Sequence, residues 1–155
     1  MELDLVKVIA EDAVNHEMQG LLFQRINYNQ LYVDVGYSVV EFRFKKNNSL
    51  CLSLVAGIKN QTLNSPFSAP YGGFIQHSQQ VSISDYLLAA QLLKTYMVNN
   101  RIINSHIVLP PVCYGGELVT KQMFALQAVG YELKYSDLNY SLDLTKSSFD
   151  SGLKK

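Results

Sequence analysis

Histidine and cysteine side chains offer metal-binding, acid–base and nucleophilic chemistry, but their spacing in this chain matches no known catalytic motif. His16, His77 and His106 are far apart and share no ligand spacing, so no metal site is predicted. Cys51 lies in the apolar run LCLSLVAG, which is typical of a buried thiol, whereas Cys113 follows two prolines. Two cysteines allow at most one disulfide, and we expect both to be free thiols. The catalytic residues therefore stay unassigned.

Two of the histidines each have a structural explanation beside a chemical one. His106 falls within a short predicted strand, where a histidine satisfied by a neighbour is expected and a general base near the strand end is the alternative. We interpret His77, which follows a Gly-Gly loop, as a solvated loop residue, with a cleft-lining role as the alternative. The sequence contains no P-loop, zinc-protease helix, EF-hand loop or nucleophile elbow.

Two loop segments have the composition of a binding site. In the segment SPFSAPYGGF (65–74), adjacent glycines permit a close backbone approach, either to another part of the chain in a tight turn or to a ligand. The segment LPPVCYGG (109–116) follows a predicted strand, and ligands of open α/β sheets bind beyond the carboxyl ends of strands. Tyr114 is therefore expected to present its hydroxyl to a crevice, the alternative being a ring packed over the prolines. The candidate substrate-binding residues are Ser68, Tyr71, Gly72, Gly73 and Tyr114.

The elements that position these loops alternate between strands and helices. Residues 3–9 indicate a first strand, and residues 11–32 indicate one or two short helices. The apolar runs 39–44 and 50–55 flank a polar four-residue turn, which predicts an antiparallel hairpin, and Thr62 and Leu63 start a third strand.

The second half of the chain predicts two helices and three strands. Ser82 and Asp85 form a capping-box start for a helix that ends near Asn99. A strand over 105–109 ends at two prolines, and a helix over 118–129 is followed by Gly130 in the C′ position. Alternation over 131–144 predicts two strands with a bulge or break at 136–137. The predicted class is α/β (α+β), with a mixed sheet.

Composition limits the class of protein. The chain has 155 residues, a length typical of one domain, which we assign to residues 1–145 with a polar linker or tail over 146–155. Thirteen basic residues balance thirteen acidic ones, which disfavours DNA or an anionic membrane as a partner. The N-terminal segment lacks the basic and apolar regions of a signal peptide, and no apolar run reaches the length of a membrane span. We expect a cytoplasmic protein.

Four short motifs in this order resemble the N-terminal half of FemAB-like proteins, a bacterial group with a GNAT-type acyltransferase fold. The matched region covers roughly residues 39–144. The first motif, S-P-x-x-A-P-[FY]-G-G, is matched by Ser65, Pro66, Ala69, Pro70, Tyr71, Gly72 and Gly73, and the second, P-P-x-x-Y, by Pro110, Pro111 and Tyr114. The third motif, A-L-x-x-x-G-[FY], is matched by Ala125, Leu126, Gly130 and Tyr131. The fourth motif, D-L-N-[HY], is matched by Asp137, Leu138, Asn139 and Tyr140.

The resemblance implies a GNAT-like, mostly antiparallel, twisted sheet flanked by helices, and half of an acyl- or aminoacyltransferase. The acceptor would be a small molecule or carbohydrate with an amine or hydroxyl, for example a sugar or cell-envelope precursor. The string nearest to the CoA-binding pattern [QR]-x-x-G-x-[GA] is 127–132, which ends in Glu132 and precedes a predicted strand. The resemblance therefore implies no cofactor bound by this chain alone, and an acyl-CoA or aminoacyl donor held by a second GNAT-like lobe. The alternative is a non-catalytic GNAT-like module for binding or homodimerisation.

Overall fold

The computed structural model of the chain describes residues 1–7, 20–31 and 36–137. These residues form a mixed α+β fold in which a mostly antiparallel sheet is flanked by helices, so the coarse fold class is confirmed. Two short 3-10 helices cover Leu22–Gln24 and Val112–Tyr114. The regular elements are β1 (Glu2–Lys7), α1 (Ile26–Gln30), β2 (Ser38–Lys46), β3 (Ser49–Lys59), β4 (Thr62–Ser65), β5 (Phe74–Gln76), α2 (Ile83–Asn99), β6 (Asn104–Ile107) and α3 (Gly116–Ala128).

The predicted hairpin is confirmed as β2 and β3, but its turn is shorter than the sequence indicated. Only Asn47 and Asn48 lie between the strands, with φ of 51° and 61°. Two central residues with positive φ are what a tight hairpin turn requires, and asparagine tolerates that conformation better than most residues. The turn from β3 to β4 is built in the same way by Asn60 and Gln61, with φ of 49° and 57°.

One edge of β3 pairs with two short strands in succession. Gly57 pairs with Asn64 of β4, and Leu54 pairs with Phe74 of β5, both antiparallel. Strands β4 and β5 are thus two parts of one interrupted strand, and the loop over 66–73 leaves the sheet between them. The sequence predicted this loop but not β5, because three residues are too few to establish an alternating pattern.

Helix α2 starts as predicted. The Ser82 hydroxyl accepts a hydrogen bond from the Asp85 backbone N–H at 3.2 Å, and the Asp85 carboxylate accepts one from the Ser82 N–H at 2.9 Å. The helix connects the β4–β5 edge to β6, which therefore runs parallel to β4. Helices α2 and α3 bury the main core against one face of the sheet, and its fully buried members include Phe42, Phe44, Leu52, Leu54, Tyr86, Ala90, Leu93 and Ala125.

The chain after α3 differs from the prediction. Residues 131–137 form no strand, and Leu133 and Tyr135 are 60% and 67% exposed. Tyr131 lies beside β6 and donates a hydrogen bond to the Ser105 hydroxyl at 3.0 Å. Alternation alone does not supply the backbone partners that a strand needs, and no described strand pairs with this segment. The predicted strand residues 8–9 and 138–144, and the tail over 146–155, lie outside the described residues.

The rest of the second half agrees with the prediction. Strand β6 ends before the two prolines, α3 starts two residues earlier than predicted, and Gly130 follows it with φ of 102°. Among the described residues, no helix has both the length and the apolar character needed to cross a membrane.

Candidate functional site

A cavity of about 190 Å³ lies where β5, the chain leaving β6 and the start of α3 meet. The segment that precedes α1 closes one side of it. No lining side chain carries a charge, and glutamine amides alternate with apolar groups. The lining residues are Gly20, Leu21, Gln24, Phe74, Ile75, Gln76, Pro110, Tyr114, Gly115, Leu118, Val119 and Gln122.

Two buried glutamines hold the backbone of the interrupted edge strand at this cavity. Gln122 of α3 accepts a hydrogen bond from the Phe74 N–H at 2.8 Å and donates one to the Phe74 carbonyl at 3.2 Å. Gln24 donates to the Gly72 carbonyl at 2.8 Å and accepts from the Leu21 N–H at 3.1 Å. These bonds satisfy backbone groups that would otherwise be buried without partners, so Gln24 and Gln122 shape the cavity wall.

The two loop glycines approach other parts of the chain. A Cβ at Gly72 would lie 2.6 Å from the Pro66 nitrogen and from the Ser65 carbonyl carbon. A Cβ at Gly73, which has φ of +85°, would lie 2.6 Å from the Gln122 side-chain oxygen. The Ser65 hydroxyl accepts from the Gly73 N–H at 3.1 Å and donates to the Val55 carbonyl at 2.8 Å. The close approach is therefore to the chain itself, and neither glycine lines the cavity.

The other predicted site residues are placed at different depths. Tyr71 is 9% exposed and packs edge-on against Phe23, with ring centroids 5.1 Å apart. Tyr114 is 55% exposed, lines the cavity and contacts Tyr71, with centroids 5.6 Å apart. Ser68 is exposed on the loop and is not among the lining residues. The structure therefore places Tyr114 in the cavity wall, with Tyr71 behind it in contact with its ring, and leaves Ser68 outside the cavity.

Electrostatics keep the buried tyrosine protonated. Burial raises the pKa of Tyr71, and the neighbouring side chains of Tyr114 and Cys113 raise it further. A phenol with a raised pKa stays neutral at physiological pH, so Tyr71 is a hydrogen-bonding group and not a base.

None of the described sulfur and histidine side chains lines the cavity. Cys51 is buried and Cys113 is exposed, and both are free thiols, as predicted. His77 lies in a loop after β5, as expected, but it is half-buried and not solvated, and its Nε2 lies 2.8 Å from the Ser53 hydroxyl. Ser53 is fully buried, which removes it as an accessible nucleophile. His106 is exposed on β6.

The N-terminus of α2, which is joined to β5 by residues 77–82, is already occupied by a carboxylate. Burial acts to raise the pKa of Asp85, but hydrogen bonds from Ser82 and the ammonium of Lys46 outweigh it and hold the pKa below its usual value. The Lys46 Nζ lies 3.0 Å from the Asp85 carboxylate. Helix N-termini bind anions through free N–H groups and a partial positive charge. Here the Asp85 carboxylate already accepts hydrogen bonds from the Ser82 N–H and hydroxyl and places a negative charge at the helix start, and the junction over 77–82 contains no glycine.

Sequence reasoning missed Gln24 and Gln122, and no pattern in the sequence marks them, because each lies in a helical segment that contains other amides and nothing local distinguishes it from them. Among the described residues, no group of three or more histidine, cysteine, aspartate or glutamate side chains could hold a metal ion. Comparisons of the chain with protein-family models, with curated proteins and with solved structures returned no match.

Proposed function

We propose that this chain is a cytoplasmic, GNAT-like lobe of an acyl- or aminoacyltransferase of the FemAB-like kind, and that its cavity receives the acceptor. Two observations support the fold part of the proposal. The sheet is mostly antiparallel and flanked by helices, and Gly130 and Tyr131 follow the last described helix after Val129, in the order of the family motif. The assignment to the FemAB-like family rests on the four sequence motifs alone.

The observation that carries the proposal is the uncharged cavity with Tyr114 in its wall, next to the carboxyl end of β6. Such a position is where ligands of α/β sheets commonly bind. A neutral wall suits an acceptor without phosphate groups. The exposed Tyr114 ring and its hydroxyl can orient a hydroxyl or amine of that acceptor by a hydrogen bond.

The reaction proposed is direct acyl transfer. The acceptor nitrogen or oxygen attacks the carbonyl carbon of a thioester or ester, forms a C–N or C–O bond, and displaces the thiol or alcohol. The acceptor proton passes to a base and then to the leaving group. In this scheme the present chain binds and orients the acceptor, and the second lobe supplies the donor. No residue of this chain is assigned as the base.

The occupied N-terminus of α2 supports the absence of a CoA site in this lobe. A CoA pyrophosphate placed there would meet the Asp85 carboxylate, which already accepts the hydrogen bonds at this helix start. Calorimetric titration of acetyl-CoA into the chain is expected to show no micromolar binding. Micromolar binding with displacement of the Asp85 interactions would contradict the assignment of the donor to another lobe.

The test of the proposed function is a transfer assay on the protein with its second lobe. Acetyl-CoA is offered with N-acetylglucosamine, hexan-1-ol and benzylamine, and acylated products are detected by mass spectrometry. Val119→Phe fills the cavity and is expected to lower product formation at least tenfold. Val98→Phe, the same change at a 70% exposed position on α2, is expected to leave it unchanged. Equal activity in both variants would remove the cavity from the reaction.

A non-catalytic binding module is the second candidate, and the closed N-terminus of α2 favours it, because a lobe without a donor site cannot transfer an acyl group alone. Ligand binding at the cavity with no product from any acceptor, with or without a second lobe, would select this alternative.

A further inference from the structure

We propose that the cavity binds an apolar group of about six to eight carbon atoms, which defines the acceptor as a neutral amphiphile and not a free sugar. The inference rests on the proposed function for the acceptor's role, but the binding itself is argued from the cavity wall alone.

The polar side chains of the wall are committed to the protein. The amide oxygen of Gln24 accepts from Leu21, and its nitrogen donates to Gly72. Gln122 uses its oxygen and nitrogen on Phe74 in the same way. Turning either amide toward a ligand would strand a buried backbone group, which costs about 1–3 kcal/mol each time.

The third amide of the wall is committed as well. The Gln76 oxygen accepts from the Tyr86 hydroxyl at 3.1 Å, and its nitrogen donates to the Ser78 carbonyl at 2.7 Å. Tyr86 is fully buried, so this bond also satisfies a group without access to water. A sugar needs several hydrogen-bond partners to replace its water, and these three amides, each of which already uses at least one donor and one acceptor on the protein, offer fewer than a sugar's hydroxyls require.

The surface that remains for a ligand is mostly apolar, and one side of the cavity is open to solvent. Tyr114 adds one aromatic ring and one hydroxyl at its exposed side. A dry apolar cavity of about 150 Å³ binds benzene in a well-studied protein, so about 190 Å³ accommodates a ring or a chain of slightly larger size. The aliphatic contributors are Leu21, Ile75, Pro110, Leu118 and Val119.

The experiment is a titration of the chain with butan-1-ol, hexan-1-ol, octan-1-ol and decan-1-ol, followed by two-dimensional NMR of the backbone amides. Affinity is expected to rise about fourfold per methylene, from the transfer free energy of about 0.8 kcal/mol, and to level off once the cavity is full. Shifts should centre on Gly115, Leu118 and Val119. Glucose at the same concentration should leave these signals unmoved.

Two variants make the result specific. Val119→Phe should abolish the hexan-1-ol shifts, while Val98→Phe should preserve them. Leu118→Ala enlarges the cavity and should move the plateau toward the longer alcohols, which provides a second readout if Val119→Phe does not fold. The inference would be overturned if affinity rose with chain length without a plateau in both the unmodified protein and Leu118→Ala, or if the chemical-shift changes were spread over the whole surface.

The failures of the two proposals are distinguishable. Binding of glucose at the cavity in place of the alcohols would overturn the apolar assignment and leave the transferase proposal in place. Alcohol binding with no transfer to any acceptor would preserve the apolar site and reject the transferase.

Discussion

At the scale of single residues, Gly72 occupies the tightest position in the loop between β4 and β5. Its N–H donates to the Val108 carbonyl at 2.8 Å, and its carbonyl accepts from Gln24. A side chain there would meet the backbone at Pro66 and Ser65, which cannot rotate away as a side-chain terminus could. Gly72 is therefore a packing requirement of the loop that holds Tyr71 against Tyr114.

Replacing this glycine should destabilise the protein. Gly72→Ala is expected to lower the free energy of unfolding by about 1–3 kcal/mol, the usual cost of forcing an extra methyl into a packed site. Urea unfolding followed by circular dichroism measures the change. Gly116→Ala is the matched control, because nothing lies within 4 Å of a Cβ at that position, and it should cause no loss. A neutral Gly72→Ala would mean that the loop rearranges without cost.

The adjacent glycines also show where sequence reasoning reaches its limit at this scale. Two glycines in a row indicate a close approach, and that part of the prediction is confirmed. Gly72 approaches Ser65 and Pro66 of the same segment, but the partner of Gly73 is Gln122, which lies about fifty residues further along the chain and reaches the loop only after α3 has packed. No local pattern carries that information. Contact of these residues with a ligand stays a prediction.

At the scale of elements, the parts of the fold with strong local signals were predictable. The β2–β3 hairpin and helix α2 are determined by apolar period, turn residues and the Ser82–Asp85 capping box, all of which lie close together in sequence. Strand β5 and the segment over 131–137 depend on which distant backbone is available for pairing. Residues 74–76 pair with β3 and form a strand, whereas residues 131–137 have no described pairing partner and form none.

The cap of α2 makes the stability depend on pH in acid. Because the pKa of Asp85 is lower in the folded protein than in the unfolded chain, its contribution is fully present above about pH 4 and is lost as the pH falls through the native pKa. Asp85→Asn is expected to lower the free energy of unfolding by about 1 kcal/mol at pH 6, as for loss of a helix cap. The difference from the unmodified protein should shrink toward pH 2.

Urea unfolding at pH 6, 4 and 2 tests this expectation. Glu117→Gln is the control on α3: its carboxylate also has a lowered pKa, through a hydrogen bond and an ion pair with Lys121, but its side chain is 79% exposed. Water screens such a pair, so the control should change the pH profile less than Asp85→Asn does. A pH-independent difference for Asp85→Asn would show that the cap does not need the negative charge.

At the scale of the whole molecule, thirteen acidic residues balance thirteen basic ones, and the candidate site is uncharged as well. Two ion pairs of the described residues join different elements, Lys45 with Asp4 and Lys46 with Asp85, while the cavity wall carries no charged side chain. The sequence predicted a neutral protein without revealing that its neutrality extends into the candidate site. That arrangement appears only when α3, β5 and the segment before α1 meet.

The reactivity of the two cysteine thiols tests whether the sheet opens only when the whole protein unfolds. Cys113 is exposed beside the cavity, whereas Cys51 is 9% exposed at the start of β3, the strand paired with β2, β4 and β5. An aromatic disulfide reagent should therefore label Cys113 rapidly and Cys51 only through an opening of the sheet.

Two variants assign the phases of this labelling reaction. Cys113→Ser should remove the rapid phase, and Cys51→Ser the slow one. The slow rate should rise with urea in proportion to the global unfolding equilibrium when reclosing is fast. Rapid labelling of both thiols in water would show that β3 separates from its neighbours without unfolding of the whole.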